Sequence, residues 1–375
     1  MPEQPQTLGG WIDQLSEPYN AQERMGLLFY DCHIEVRSNS RTLLEKLAYY
    51  YKDFTDHSDA EPEIRVLALE APTPETGLDF TIKQPDPGKT KIKEEWVDFD
   101  DGRIVHKRLT GMHFLFGGER HLAFGPCVDN DNQVVNFVNN RFIQHSLNRG
   151  FLLGHAAAVK HGQRGLSFAG FSGMGKSTLA LWVMARGTTF ISNDRLMVRR
   201  AGGVLEMLGV PKLPRINPGT ILANEYLLSV MPPDERAKAA ALPEEELWNL
   251  EQKYDAFIDQ CFGPGKFRLR SVMSGLVILH WKREAIPLQI NRVDVRQRED
   301  LLGAFMKAVG LFYEPSADDP DPDFSAAAYL ECLQDCPVFE FTGGVDFDGA
   351  ADACMQFLET GAMPGAVDQR GGDGS

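Results

Sequence analysis

The chain has 375 residues, 43% of them hydrophobic and 10% aromatic, which is enough for a well-packed core in one or two domains and excludes a disordered protein. Its 38 basic and 53 acidic residues give a formal charge of −15, which repels nucleic-acid phosphates, and we find no basic patch that would override this. Because the N-terminus lacks the basic and apolar regions of a secretory signal, and no apolar run approaches bilayer length, we expect a cytoplasmic protein without nucleic-acid or membrane partners.

Residues 1–135 are predicted to form an N-terminal α/β domain, for which no motif indicates a role. Residues 70–93 include four prolines, two glycines and mixed charges, so loops or a flexible hairpin are expected there. The apolar patterns predict one helix and three strands, at Leu43–Tyr51 and at Ile64–Leu69, Trp96–Phe99 and Met112–Phe116.

Residues 136–313 are predicted to form a nucleotide-binding domain with helices packed on a sheet, because strand-like and helix-like segments alternate along it. Apolar residues at helical spacing between positions 134 and 152 precede a strand-like segment at His155–Lys160. Residues 314–360 are assigned to a C-terminal α/β extension, which begins with a loop of aspartates and prolines around positions 318–323. Residues 361–375 are expected to be a disordered tail.

The segment Gly170–Ser177 matches the phosphate-loop pattern G-x-x-x-x-G-K-[ST] at every specified position. Its glycines let the backbone fold around an anion, and the following helix adds the positive end of its dipole. Lys176 is expected to reach the β- and γ-phosphates of ATP, and Ser177 to offer its hydroxyl to Mg²⁺. The predicted nucleotide-binding residues are Gly170, Ser172, Gly173, Met174, Gly175, Lys176, Ser177 and Thr178.

The segments that flank this loop support a phosphate-binding role. Leu166–Ala169 is a plausible buried strand, residues 178–186 contain neither glycine nor proline, and Gly187 ends the predicted helix. The strand–loop–helix arrangement that such a loop requires is therefore present. The alternative is a degenerate loop that no longer binds a nucleotide.

Asp194 follows the next predicted strand, Thr189–Ser192. Parallel α/β sheets place ligands at the carboxyl ends of strands, so Asp194 is expected to face the nucleotide. It is a candidate to hold Mg²⁺ or to take the proton from an attacking hydroxyl, and the alternative is an aspartate that caps a turn. Arg215, Arg268 and Arg270 are weaker candidates for phosphate contacts, since each is better explained as a surface or structural arginine.

Three features together resemble a known family. They are His155-Ala156-Ala157-Ala158-Val159 on a strand, the loop that begins fifteen residues after His155, and Ser192-Asn193-Asp194-Arg195. Over roughly residues 140–290 the chain resembles the catalytic domain of the HPr kinase/phosphorylase family, which has Asp-Asp-Arg at the last feature. Within that family it is similar to the divergent HPr-kinase-related kinases, type B among them.

This resemblance implies a P-loop kinase domain of the HPr kinase C-terminal type that uses ATP and Mg²⁺ to phosphorylate a hydroxyl, on a protein serine or a small molecule. It implies catalytic roles for His155, Lys176 and Asp194. It further implies metal contacts from Ser177, Asp194 and Glu206, the last through the faintly similar segment Leu205–Gly209.

Two positions differ from the family pattern. Asn193 stands where the family has its proton-handling aspartate, and Phe171 replaces an acidic residue in the loop. An amide accepts no proton near neutral pH, so the base role passes to Asp194 or the reaction differs, and the reverse phosphorylase activity is placed in doubt.

Two other functions remain open at this stage. The first is a nucleotide-responsive module that binds ATP without phosphotransfer, which Asn193 favours. The second is a carboxykinase-like phosphotransferase, which has a related loop but no legible site for a carboxylate substrate. The sequence identifies neither the phosphoacceptor nor the oligomeric state, and it is compatible with a homo-oligomer.

Overall fold

A computed structural model describes residues 5–85, 90–171, 173–315 and 322–368 of the protein. The chain divides into two compact units: unit 1 comprises Met1–Arg149 and Val309–Pro322, and unit 2 comprises Gly150–Ala308 and Asp323–Ser375. Parts of four sequence predictions lie outside the described residues, namely residues 86–89 of the loops at 70–93, a nucleotide contact from Ser172, the loop at 318–321 and the tail at 369–375.

Unit 1 is built on one mixed β-sheet with three described helices. The helices are α1 (Leu8–Ser16), α2 (Arg41–Tyr50) and α3 (Asp131–Leu147). The strands are β1 (Glu23–Phe29), β2 (Cys32–Ser38), β3 (Thr55–Asp56), β4 (Ile64–Glu70), β5 (Thr81–Ile82), β6 (Glu94–Phe99), β7 (Gly102–Lys107), β8 (Met112–Gly117) and β9 (Arg120–Gly125). Their order is β3-β1-β2-β4-β9-β8-β7-β6-β5, in which β2, β4 and β9 are parallel neighbours.

The core of unit 1 follows from apolar residues at strand and helix spacing. α1 buries Leu8, Trp11 and Ile12 against Leu69 and Leu115 of the sheet. The helix and the three strands predicted in this part of the sequence are confirmed as α2, β4, β6 and β8.

Unit 2 has strands on both sides of the predicted loop. The strands are β10 (Leu152–Gly154), β11 (Ala156–His161), β12 (Arg164–Gly170), β13 (Thr189–Ser192), β14 (Leu196–Ala201), β15 (Val204–Gly209), β16 (Arg215–Ile216), β17 (Tyr254–Asp255), β18 (Arg270–Leu279), β19 (Leu288–Val293), β20 (Val338–Gly343) and β21 (Val367–Asp368). The helices are α4 (Lys176–Met184), α5 (Pro218–Leu222), α6 (Pro233–Ala240), α7 (Glu244–Asn249), α8 (Ile258–Phe262), α9 (Glu299–Leu302), α10 (Ala326–Cys332) and α11 (Phe347–Thr360), with a 3-10 helix at Glu225–Val230.

The main sheet of unit 2 is also mixed. Its order is β10-β14-β15-β18-β12-β11-β13, and the C-terminal half of β18 also pairs with β20, from which the sheet continues to β19 and β21. β12, β18 and β20 are parallel, whereas β11, β13, β14 and β15 join antiparallel. α4 contacts both this sheet and α11. Its residues from Thr178 to Met184 are therefore all buried. The protein therefore has α/β architecture with large mixed sheets.

The division into units differs from the predicted domain boundaries. The expected boundary after residue 135 falls inside α3, a continuous helix, whereas unit 1 continues to Arg149 and also includes Val309–Pro322. The predicted C-terminal extension contributes β20 and α11 to unit 2, where β20 pairs with the central strand β18. Each segment belongs to the unit with which it makes long-range contacts, such as the pairing of β20 with β18. The local sequence does not show such contacts.

Candidate phosphate-binding site

The predicted loop, His155 and Asp194 lie at the same edge of the unit 2 sheet. β11 pairs antiparallel with both β12 and β13, so β12 and β13 run in the same direction on either side of it. Their carboxyl ends therefore meet at the edge where β11 begins, directly after His155. This arrangement differs from the parallel sheet expected from the sequence, because the antiparallel strand β11 separates the two parallel strands.

The loop backbone has the conformations that its glycines allow. Gly170, Gly173 and Gly175 have φ values of 155°, 83° and 83°, which residues with a side chain rarely adopt. Gly175 is the N-cap of α4 and provides no side-chain cap. The start of the helix is thus left to an external hydrogen-bond acceptor.

The first turn of α4 presents backbone donors beside the loop. The first hydrogen bond of the helix runs from the Leu179 N–H to the Gly175 carbonyl, at 2.8 Å. The N–H groups of residues 176–178 precede that bond, and such groups point out of the helix start toward an acceptor. Together with the helix dipole they favour an anion.

Aromatic residues of unit 2 pack against one side of this loop. The Trp281 Nε1–H donates to the Met174 carbonyl at 2.9 Å, and a Cβ on Gly175 would lie only 2.8 Å from the Phe347 ring. A Cβ on Gly173 would meet nothing within 4 Å. One side of the loop is therefore packed against aromatic rings, whereas Gly173 borders open space.

Lys176 lies across the loop and is close to Asp194. Its Nζ donates to the Gly170 carbonyl at 2.7 Å and approaches the Phe171 carbonyl at 3.4 Å. Burial lowers the pKa of Lys176, the charge of Asp194 opposes that shift, and the charge of Lys307 adds to it. The ammonium is therefore held by two weak neutral acceptors, which a phosphate oxygen can replace with a stronger, charged partner.

Ser177 and Thr178 differ in what their side chains can contact. Ser177 is half-buried in the first turn of α4, beside the loop. The Thr178 side chain is buried, and its hydroxyl lies 2.9 Å from the Thr220 hydroxyl. Thr178 can therefore offer a nucleotide its backbone N–H, while its hydroxyl belongs to the contact between α4 and α5.

Asp194 and His155 are hydrogen-bonded to each other at the same sheet edge as the loop. His155 Nε2 lies 3.2 Å from Asp194 Oδ1, and the backbone N–H of His155 is fixed by the Phe305 carbonyl at 2.6 Å. Burial alone would raise the pKa of Asp194, but the hydrogen bond from His155 and the charges of Lys307 and Lys212 outweigh it and hold the pKa well below its usual range. Asp194 is thus an anion at neutral pH.

Two lysines of this cluster were missed by the sequence analysis. Lys307 Nζ lies 3.9 Å from Asp194 Oδ2, and the charge of Lys212 also acts on this carboxylate. Burial lowers the pKa of both lysines. Neither belongs to a motif, and each is far from Asp194 along the chain, so only the fold could reveal them.

Asn193, the residue before Asp194, has an unusual amide. Its Oδ1 atom is buried and accepts no hydrogen bond from the described part of the chain. A buried acceptor without a donor costs free energy, so a donor from a ligand or water would be stabilising here. Asn193 is therefore a candidate contact in its own right.

Glu206 is placed apart from the other predicted metal ligands. Its carboxylate accepts from Arg199 Nη2 at 2.7 Å and from Arg270 Nη2 at 2.6 Å, and the residue is only 5% exposed. It pairs with Arg199 across the β14–β15 ladder, which puts it about 16 Å along that ladder from Asp194. Its predicted metal contact, together with Ser177 and Asp194, does not agree with this placement.

Without Glu206, the protein groups near the loop suit Mg²⁺ only if a phosphate also binds the ion. In the residues that the structure describes, no cluster of three or more His, Cys, Asp or Glu side chains could hold a metal ion. Mg²⁺ commonly takes one or two protein ligands and completes its shell with phosphate oxygens and water. The Ser177 hydroxyl and the Asp194 carboxylate are groups of that kind. Of the three arginines named as weaker candidates, Arg270 is paired with Glu206 and Arg215 with Asp255.

Comparisons with known proteins add little to this geometry. No family model matches the sequence, and no curated protein matches it. Among solved structures, the Hpr(Ser) kinase/phosphatase from Coxiella burnetii is similar over 55% of this chain and 92% of that chain, with 10% identity and a TM-score of 0.27. That TM-score is too low for the likeness to support an inference about fold or activity. Within the described residues, no helix combines the length and apolarity needed to cross a bilayer.

Proposed function

We propose that unit 2 is an ATP- and Mg²⁺-dependent phosphotransferase that moves the γ-phosphate to a hydroxyl of a protein or small molecule. One observation carries the proposal: the loop with Lys176, the start of α4 and the His155–Asp194 pair meet at one sheet edge. Phosphoryl transfer needs positioning and charge stabilisation more than covalent chemistry, and these groups supply both.

The roles follow from the contacts. The N–H groups of the loop and of residues 176–178 bind the β- and γ-phosphates, and Lys176 exchanges its carbonyl partners for phosphate oxygens. When bound, Mg²⁺ neutralises charge on the same phosphates, with Ser177 and Asp194 as the protein groups that suit it. Ser172 of the predicted set stays a prediction.

The acceptor hydroxyl is oriented by Asp194. Its oxygen forms the new bond to phosphorus, the bond to the leaving ADP oxygen breaks with its electron pair, and the hydroxyl proton passes to Asp194 and then to water. Asp194 is a weak base because its pKa is low, but a loose transition state needs little proton removal before the bond to ADP is broken. His155 holds the carboxylate in place through its Nε2 atom.

The test compares two variants with a charge-matched control. Lys176→Ala should weaken binding of Mg²⁺ with a non-hydrolysable ATP analogue about 100-fold or more by calorimetry. Asp194→Ala should weaken that binding less than Lys176→Ala does, because the phosphates keep their loop contacts, but should lower ATP turnover about 100-fold or more. Lys160→Gln, about 16 Å along β11 from His155, should change neither, and circular dichroism should show all three folded. Turnover retained in both Lys176→Ala and Asp194→Ala would refute the proposal.

A second function is favoured by Asn193 and by the low pKa of Asp194. Because neither residue is a strong proton acceptor, unit 2 can also be a nucleotide-responsive binding module. Tight binding of MgATP with neither transfer nor hydrolysis would select this function over the first.

A further inference from the structure

The lysines around Asp194 reach it from different parts of unit 2. Lys176 comes from α4, next to β12, whereas Lys212 follows β15 and Lys307 is fixed by the bond from its N–H to the Leu153 carbonyl of β10, at 3.1 Å. β10 and β15 are the two neighbours of β14, the strand that Asp194 precedes. Lys212 and Lys307 therefore flank the start of β14, and Lys176 approaches from the loop.

Positive charge exceeds negative charge in this cluster. In the described part of the chain, Lys176, Lys212, Lys307 and Arg195 each interact electrostatically with the carboxylate of Asp194. Burial and mutual repulsion lower the pKa of the three lysines. Such a cluster is costly in the empty protein, and a bound anion relieves that cost. It is also unexpected in a chain with a formal charge of −15.

The nucleotide accounts for only part of this excess. Phosphoryl transfer proceeds with the attacking and leaving oxygens roughly in line, so the acceptor lies beyond the γ-phosphate, on the side away from ADP. The loop and Lys176 hold the phosphates of the nucleotide. Lys212 and Lys307 flank Asp194 from other strands, where an acceptor would be.

We propose that the acceptor carries an anionic group of its own, a carboxylate or a phosphate, and that Lys212 and Lys307 bind it. The inference rests on the proposed function, because it uses Asp194 as the group that orients the hydroxyl. Lys307 Nζ is 3.9 Å from Asp194 Oδ2. With ordinary hydrogen-bond lengths at both ends, the hydroxyl and the anionic group lie within about 9 Å of each other. The substrate class is therefore a compact hydroxy acid or hydroxyalkyl phosphate.

The experiment fills the nucleotide site first and then probes for a second anion. The full chain is saturated with Mg²⁺ and a non-hydrolysable ATP analogue, and inorganic phosphate or acetate is titrated by calorimetry. We expect one further anion to bind, and Lys212→Gln or Lys307→Gln to weaken it about tenfold or more while the affinity for the nucleotide analogue changes less than about threefold. The matched control, Lys160→Gln, should leave both affinities unchanged. Preference for phosphate or for acetate then identifies the type of anionic group.

Two results would overturn the inference. One is that neither anion binds to the nucleotide-filled protein. The other is that Lys212→Gln and Lys307→Gln weaken the nucleotide as strongly as Lys176→Ala does, which would assign these lysines to ATP. If the analogue itself does not bind, the proposed function fails separately. Phosphate is then titrated alone, and dependence on Lys212 and Lys307 but not on Lys176 supports the second site, whereas dependence on Lys176 alone refutes it.

Discussion

Unit 2 places two carboxylates among basic side chains, and the two surroundings differ in charge balance. Glu206 is almost fully buried and is bound by Arg199 and Arg270 at 2.7 and 2.6 Å. Asp194 has His155 at 3.2 Å, while Lys307 and Arg195 are both 3.9 Å away. Glu206 therefore has two arginines at hydrogen-bond distance, whereas most of the cations around Asp194 are farther from its carboxylate and outnumber it.

The difference separates a structural ion cluster from a ligand site. Close arginine–carboxylate pairs join β14, β15 and β18 and engage both carboxylate oxygens of Glu206. The Lys307 ammonium, 3.9 Å from the Asp194 carboxylate, is too far away for a hydrogen bond to it, and the loop donors lie alongside. A family-based reading of the sequence gave both carboxylates the same metal-binding role, and charge balance is what distinguishes them.

Isosteric substitutions at the two carboxylates test this contrast most strongly. Asp194→Asn should lower kcat for phosphotransfer about 100- to 10,000-fold, because the orienting anion is lost, and should leave nucleotide affinity within a few-fold. Glu206→Gln should instead lower the free energy of unfolding by about 1–3 kcal/mol, because two arginines lose their anion but remain partly hydrated. Steady-state kinetics and denaturant titration of both variants provide the measurements. Exchanged outcomes, with Glu206→Gln inactive but stable, would reverse the two assignments.

The sequence predicted the parts of this site that are local. Strand, loop and helix around residues 166–187 follow from a contiguous pattern, and the structure has them as β12, the glycine loop and α4. Asp194 was predicted from its place after a strand and His155 from the family resemblance and its spacing to the loop, and both adjoin strands that pair at the same edge. Lys212 and Lys307 were not found, since the pairing of β14 with β10 and β15 is what brings them close. Glu206 was misplaced for the same reason, because its arginine partners come from neighbouring strands.

Two glycines of the loop also differ in their surroundings, since Gly175 is packed and Gly173 borders open space, and this difference allows a second test. Gly173 and Gly175 share a φ of 83°, but only a Cβ on Gly175 would press against Phe347, at 2.8 Å. Gly173→Ala should therefore cost about 1–2 kcal/mol of stability from backbone strain alone. Gly175→Ala should cost more, by about 1 kcal/mol or above, and should weaken nucleotide binding further because α4 shifts at its first turn.

Thermal unfolding and calorimetry of the two loop variants measure these effects. The double variant Gly175→Ala with Phe347→Leu provides the control, since removal of the ring should recover the packing part of the loss but not the backbone part. Equal losses for Gly173→Ala and Gly175→Ala would show that the aromatic backing does not shape the loop.

The smallest expected effect is the dependence of stability on acid. The pKa of Asp194 lies below its ordinary value of 3.8 in the folded protein, so its charge interactions stabilise the fold fully above that value and are lost as the pH falls through the lower, folded pKa. The difference in melting temperature between His155→Gln and the double variant His155→Gln with Asp194→Asn should therefore be constant from about pH 7 to pH 5 and should shrink only in stronger acid, since neither protein then has an imidazole at position 155 that could titrate in that range. A difference that already changes between these two values would mean that Asp194 titrates near neutrality, because the cations around it then do not hold it ionised. The excess of positive charge that distinguishes this carboxylate from Glu206 would then not act on it in the folded protein.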